Sequence, residues 1–327
     1  MKAVVVSAPG GPERLQVRDV EDPTPGEREV LIDVHAAGLN RADLLQRRGV
    51  YPPPPGASPL LGLECAGVVR ALGPGVSAAR VGDRVMALLP GGGYAEQVVA
   101  NEQVLLPIPE GLSFEQAAAI PEAFLTASEA LFGLGRVLPG EWVLIHAAAS
   151  GVGSAAVQLA RAAGAHVIAT TSSKKCEGVR ALGADRVVDR EQEDFAAVVK
   201  ELTEARGVDV IVDLVGAAYS ARHAECLAVL GRHVVVGLVG GGKAEIDLGR
   251  LLQKRHSLLG LVMRSRPLQD KIAVVERFRR TWLHRLADGS LRPIVDSTFS
   301  LEEAALAHER MERNENFGKI VLRVARG

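Results

Sequence analysis

Trp142-Val-Leu-Ile-His146-Ala-Ala-Ala-Ser150-Gly151-Val152-Gly153-Ser154 leads into an alanine-rich segment. An apolar run of strand length enters a turn of small residues, and a helix-period segment, Gly151–Ala163, follows. A helix that starts there leaves its first N–H groups without acceptors and aims its positive end at the turn. A pyrophosphate fits that place without any charged side chain. The usual fingerprint is GxGxxG. Its three positions here read Ala148, Ser150 and Gly153, with Gly151 and Val152 between them. Small residues keep the approach open, and Gly153 permits close packing of helix on strand. A plain Gly-rich turn has the same look, so the flanking pattern carries the reading.

Outward from this turn, apolar runs at His166–Thr170, Asp209–Leu214 and His233–Leu238 alternate with helix candidates at Lys175–Leu182, Phe195–Leu202 and Ser220–Leu230. Val/Ile/Leu strands alternating with helices predict an α/β fold with a Rossmann-type, doubly wound parallel sheet. In NAD-binding sheets an acid after the second strand bonds the ribose 2′-OH. After His166–Thr171 no acid follows; Ser172, Ser173, Lys174 and Lys175 do. Two charge-assisted contacts of about 1.5–2 kcal/mol each would favour NADP(H) by roughly 10²–10³. Ser172 and Lys175 are therefore assigned to the 2′-phosphate, and a solvated helix start with a serine cap is the plainer alternative. Arg190, after the third strand, is a further candidate for that phosphate or an exposed loop arginine. Gly216, and Gly237 and Leu238 of the Gly237–Gly241 loop, follow strand ends, where doubly wound sheets bind ligands.

Upstream, short strand candidates at Lys2–Ser7, Val30–Ala36, Cys65–Arg70 and Asp83–Leu88 are separated by Gly and Pro, which predicts a β-rich barrel or sandwich. Pro52–Pro55 forms an extended, non-helical segment. Downstream come a strand candidate at Leu258–Met263, helix-like segments at Leu268–Asp288 and Leu301–Arg313, and a strand at Lys319–Val324. The 327 residues suit two domains, and a net charge of -1 gives no electrostatic case for nucleic acid or an acidic membrane. Three dispersed cysteines argue against a disulfide framework. With no signal-peptide pattern and no long apolar run, the expectation is a cytoplasmic protein. The eight histidines show no ligand spacing, so they read as core or surface residues and no metal is expected.

Gly38-Leu-Asn40-Arg-Ala-Asp43, Gly49-Val-Tyr51-Pro-Pro-Pro-Pro-Gly56 and Leu61-Gly62-Leu63-Glu64-Cys65-Ala-Gly67 occur together with Ala148–Gly153 and the closing Gly318-Lys-Ile-Val-Leu322. In this combination the chain resembles the zinc-free quinone oxidoreductases, the zeta-crystallin branch of the medium-chain dehydrogenase/reductases, over essentially its whole length. The resemblance implies a GroES-like β-barrel catalytic domain of residues 1–117 and 262–327 around a Rossmann domain of residues 118–261. Zinc-dependent relatives carry a cysteine ligand where Asn40 stands and a histidine where Leu63 stands; neither substitute suits zinc. The resemblance places Asn40 and Tyr51 beside the nicotinamide and the substrate pocket, with Ser150 in the cofactor loop; Asp43, one helical turn from Asn40, is expected to orient it. It puts Thr126 on the nicotinamide side and leaves Lys319 either approaching the cofactor or at the surface. By residue type alone Asn40 is equally an N-cap for Arg41–Arg47 with Asp43 in its first turn, and Tyr51 equally packing on the proline run. Arg264-Ser-Arg266 is either a cofactor contact or a charged turn.

The implied activity is NADPH-dependent reduction of a quinone by a homodimer. The alternatives are an enone or enoyl-thioester reductase on the same fold, or a non-enzymatic structural or RNA-binding role. The scarcity of aromatics, 4 %, speaks against RNA.

Overall fold

A computed structural model describes residues 1–324. Its chain divides into two compact units: Met1–Leu125 with the chain from Met263 onwards, and Thr126–Val262.

The second unit is a six-stranded parallel sheet. Its strands are β1 (Trp142–Ile145), β2 (His166–Thr171), β3 (Arg186–Asp189), β4 (Val208–Asp213), β5 (Leu227–Val235) and β6 (Ser257–Gly260). Their spatial order is β3-β2-β1-β4-β5-β6, which is the dinucleotide-binding order with its reversal beside β1. The helices are α1 (Gly151–Ala162), α2 (Cys176–Ala181), α3 (Phe195–Leu202), α4 (Ser220–Cys226) and α5 (Leu248–Lys254). Every residue from Val143 to Ile145 and from Val208 to Asp213 is buried, as strands covered on both faces require.

The expected helix Ser220–Leu230 stops at Cys226, because Leu227 already pairs with Val208 as the start of β5. The expected strand His233–Leu238 correspondingly begins earlier and ends at Val235. There the N–H groups of Val236 and Gly237 both donate to the Asp213 carbonyl, which turns the chain out of the sheet. The expected strand Leu258–Met263 is shorter and shifted, Ser257–Gly260. The segment Lys175–Leu182 opens with a 3-10 turn at Ser173–Lys175 before α2.

In the first unit the strands Glu29–Gly38, Glu64–Leu72, Arg84–Leu88, Gln97–Asn101, Leu105–Pro107, Val295–Ser300 and Lys319–Arg323 form one seven-stranded sheet. Lys319–Arg323 pairs antiparallel with Glu29–Gly38, so the C-terminal segment completes the N-terminal sheet. Leu268–Asp288 is broken at Trp282 into Leu268–Thr281 and Leu283–Ala287. Leu301–Arg313 begins as a 3-10 turn, Leu301–Glu303, and continues as the helix Ala304–Glu312. No helix among the described residues is long and apolar enough to cross a membrane.

Candidate active site

The helix Arg41–Arg47 starts where the strand Glu29–Gly38 ends, and this places Asn40 at its cap. The Asp43 carboxylate accepts the Asn40 backbone N–H at 2.7 Å and the Gly62 N–H at 3.1 Å. Asp43 therefore fixes the main chain of Asn40 while serving the helix start. The Asn40 side chain turns elsewhere: its Nδ2 donates to Glu64 Oε1 at 2.9 Å. Lys319 Nζ, which can only donate, faces Asn40 Oδ1 at 2.7 Å and Glu64 Oε1 at 2.6 Å, and also reaches the Leu39 carbonyl. Lys319 is thus no surface lysine. It is buried, and it neutralises a buried glutamate.

Behind Asp43 runs a one-way relay. Arg47 must donate to His308 Nδ1, at 3.1 Å, so the neutral His308 ring carries its proton on Nε2 and gives it to Tyr94 Oη at 3.3 Å. Tyr94 in turn donates to Asp43 at 3.2 Å. Burial and the Arg47 charge keep His308 neutral, with its pKa pushed down to about 3. Burial pushes Asp43 up to about 6 against the hydrogen bonds it accepts. Glu122, partly buried beside Glu64, is pushed up to about 8, so it holds a proton at neutral pH.

Tyr51 belongs to a second cluster of the same unit. The Arg264 guanidinium lies 5.3 Å from the Tyr51 ring centre, and Arg264 donates to the Pro90 carbonyl (2.8 Å) and Gln46 Oε1 (2.7 Å). Arg264 is buried, so Arg264-Ser-Arg266 is more than a charged turn: its first residue ties the helix Arg41–Arg47, through Gln46, to the loops that carry Tyr51 and Pro90. Burial lowers the pKa of both Arg264 and Lys271, whose ammonium donates to the Arg264 carbonyl.

In the second unit, Ala147 takes a left-handed backbone at φ 48° and Ser150 caps α1, its hydroxyl accepting the Gly153 N–H at 3.0 Å. The N–H groups of Gly151 and Val152 have no carbonyl one turn behind them, and no acid stands in the first turn. A Cβ on Gly153 would meet the Ala147 carbonyl at 2.3 Å and Ala148 Cα at 2.7 Å, so the close approach at Gly153 is of the helix start to the turn after β1 rather than to the strand. Parallel pairing of Thr171 with Asp189 brings Arg190, whose N–H donates to the Thr171 carbonyl, to the same end of the sheet as Ser172 and Lys175. Arg190 is exposed, and Glu191 accepts from Ser173 at 2.8 Å, so acids and bases mix there. Gly216, at φ 85°, packs against the loop after Gly237: Gly240 N–H donates to Val215 and Ala217 N–H to Gly241. Leu238 is exposed.

Thr126 is buried, yet its hydroxyl has no partner. An orphaned hydroxyl and two free helix N–H groups are what a bound dinucleotide would complete, so these residues fit an NAD(P) cofactor.

Residues 26–110 match the family model described as alcohol dehydrogenase GroES-like domain, and residues 151–279 match zinc-binding dehydrogenase. The quinone oxidoreductase of Pseudomonas aeruginosa is 37 % identical, over 98 % of this chain and 99 % of that protein. The chain belongs to the medium-chain dehydrogenase/reductase superfamily. Another relative of this dehydrogenase/reductase is a phenolphthiocerol/phthiocerol polyketide synthase of Mycobacterium tuberculosis, 35 % identical over 98 % of the chain. The chain spans only 14 % of that relative's length. Among solved structures, a mycobacterial protein complexed with NADPH superposes with a TM-score of 0.89 at 31 % identity, covering 99 % of each chain. The CurK enoyl reductase superposes at 0.88 and 30 % identity, again covering 99 % of each chain. The chain is therefore an oxidoreductase of an NAD(P)-dependent family on a GroES-like plus Rossmann fold.

Sequence reasoning missed Glu64 as a site residue, although it lies within the Leu61–Gly67 motif. It also missed Glu122, Tyr94 and His308, which no local pattern marks, and it named Arg264 without its link to Tyr51.

Proposed function

We propose that this protein is an NADPH-dependent quinone reductase that needs no zinc for hydride transfer. The observation that carries the reading is the Asn40–Glu64–Lys319 cluster. The buried cation beside Asn40 is an ammonium, and Leu63, where zinc-dependent relatives carry a histidine, is buried and apolar. A quinone is easily reduced and needs little Lewis-acid help, so hydrogen bonding and positioning suffice.

Gly151 and Val152 N–H groups hold the pyrophosphate, and Ser172, Lys175 and Arg190 receive the 2′-phosphate. Thr126, with Gly216, Gly237 and Leu238, lines the remainder of the cofactor site. NADPH, when bound, supplies the hydride. The Asn40 amide nitrogen donates to Glu64 (2.9 Å) and, at 3.5 Å, to the Gly38 carbonyl, so beyond its bond to Lys319 it keeps one Oδ1 lone pair, which orients the nicotinamide carboxamide. Tyr51 stacks on or hydrogen-bonds the acceptor, and the proton comes from Tyr51, from the protonated Glu122 or from solvent.

An enoyl reductase is the second reading, favoured by the likeness to the CurK enoyl reductase. A homodimer joined along the β6 edge is the proposed assembly, since Leu258 on that edge strand is exposed.

NADPH oxidation with quinones and enones, repeated with NADH and with a chelator, tests the assignment. Quinone turnover that prefers NADPH and ignores the chelator is expected. Turnover of enones alone would move the substrate class. Tyr51→Phe is expected to lower kcat/KM for quinones by roughly 10-fold, the loss of one modest hydrogen bond; unchanged kcat and KM would remove Tyr51 from the reaction.

A further inference from the structure

Three residues from separate elements of the second unit converge at the end of β4. Asp213 closes β4, His233 lies on β5 and His223 on α4. Asp213 Oδ1 accepts the N–H groups of Val215 (2.8 Å) and Gly216 (2.9 Å). Its Oδ2 meets His233 Nε2 at 2.9 Å and His223 Nδ1 at 3.6 Å. The longer distance is no hydrogen bond, and His223 Nδ1 is a buried polar atom without a partner.

The other side of His223 is fully engaged. Its Nε2 lies 2.9 Å from His146 Nε2, and His146 Nδ1 lies 2.9 Å from Thr170 Oγ1. Because His223 Nε2 is taken up by His146, only Nδ1 could face Asp213, and Nδ1 has no partner. Either tautomer leaves His223 Nδ1 unsatisfied. It is a lone pair facing a carboxylate, or an N–H too far away to donate. A cation between the two groups would satisfy both.

We propose that Asp213, His223 and His233 form a binding site for a divalent transition cation of the zinc type. Their donor atoms all lie within 4.8 Å of one another. Bonds of about 2.0–2.2 Å place ligands of a tetrahedral ion roughly 3.3–3.5 Å apart, so the 3.6 Å pair needs almost no movement. The 2.9 Å pair opens by a few tenths of an ångström as His233 shifts its proton from Nε2 to Nδ1 and presents a lone pair. Two imidazoles and one carboxylate suit zinc, cobalt or nickel and leave a fourth position for water. His223 then donates Nε2–H to His146, and His146 donates Nδ1–H to Thr170, the outer hydrogen bonding that orients ligating imidazoles. His233, 13 % exposed at its side chain, gives the ion a way in. The bound ion clamps β4, β5 and α4 together and shares no residue with Asn40 or Leu63.

The test uses the full chain, stripped with a chelator and titrated with zinc chloride by calorimetry and thermal unfolding, with cobalt(II) as the visible-absorption probe. One equivalent of zinc per chain, a raised Tm and intense four-coordinate cobalt bands are expected. His223→Gln and His233→Gln should each weaken zinc on the order of 100-fold or more. Glutamine at the partly exposed position 233 preserves size and polarity, so that variant keeps the test decisive if His223→Gln misfolds. Absence of a saturable equivalent in the wild type, or undiminished binding in a folded His233→Gln chain, would overturn the site and identify the cluster as a metal-free hydrogen-bond network. These readouts are independent of NADPH turnover, so failure here leaves the reductase reading intact.

Discussion

Around Asn40 the first unit seals a full ion pair from water, with the Lys319 side chain 6 % and the Glu64 side chain 0 % exposed. Around Ser150 the second unit leaves a helix start with no charged side chain in its first turn. The contrast separates two ways of handling charge. The ion pair depends on both partners staying in place, because either alone is a desolvated charge. The helix start spreads its partial charge over several N–H groups that no single side-chain substitution removes.

The largest effect is expected of Lys319→Met. It should destabilise the protein by about 3–5 kcal/mol in urea unfolding, because Glu64 is left buried and unpaired. The double variant Lys319→Met with Glu64→Gln should recover much of that loss; no recovery would mean that lysine packing, rather than charge, mattered. Next in size, Lys175→Ala should weaken NADPH by roughly 10–30-fold, the loss of one charge-assisted contact of about 1.5–2 kcal/mol. NADH should change less than about 2-fold in the same fluorescence titration, and an equal loss for both would undo the phosphate assignment.

A smaller effect sharpens the electrostatics of the first unit. Glu122 is pushed up to about 8 from the ordinary glutamate value near 4.5. Between those values the unfolded chain has released the proton that the folded chain retains, so stability falls as pH rises through the window. Glu122→Gln should remove about 1–2 kcal/mol of that fall, allowing for screening at a partly exposed site. Parallel pH–stability slopes for the two proteins would refute the assignment. Ser150→Ala is the mildest change. It removes the hydroxyl that caps Gly153 N–H and should lower stability by about 1 kcal/mol while the Gly151 and Val152 donors persist. A collapse of cofactor binding would show that the hydroxyl itself touches the ligand.

The residues that were legible in the sequence share one property: their meaning is local. Ala148 to Gly153 sit on one turn, so strand, turn and helix could be read from thirteen consecutive residues, Trp142 to Ser154. Asn40 and Asp43 are one helical turn apart, and the orienting role of Asp43 followed from that spacing. Helix and strand ends were less legible. Cys226 and Leu227 look alike in a hydrophobic pattern, and the change from helix to strand is set by the pairing of Leu227 with Val208.

The alternation of buried strands and helices, the small-residue turn that opens α1 and the motif combination that marks the superfamily are written in the sequence alone. These rest on backbone periodicity and on side-chain size, which act between near neighbours. The tertiary structure alone decided that Lys319 would neutralise Glu64 across 255 positions of chain, and that Arg264 would hold Tyr51. It also brought His146, His223, His233 and Asp213 into one cluster. Those contacts form because strand order and helix packing fold distant segments onto each other, and a titratable side chain takes its chemistry from whatever the fold places beside it.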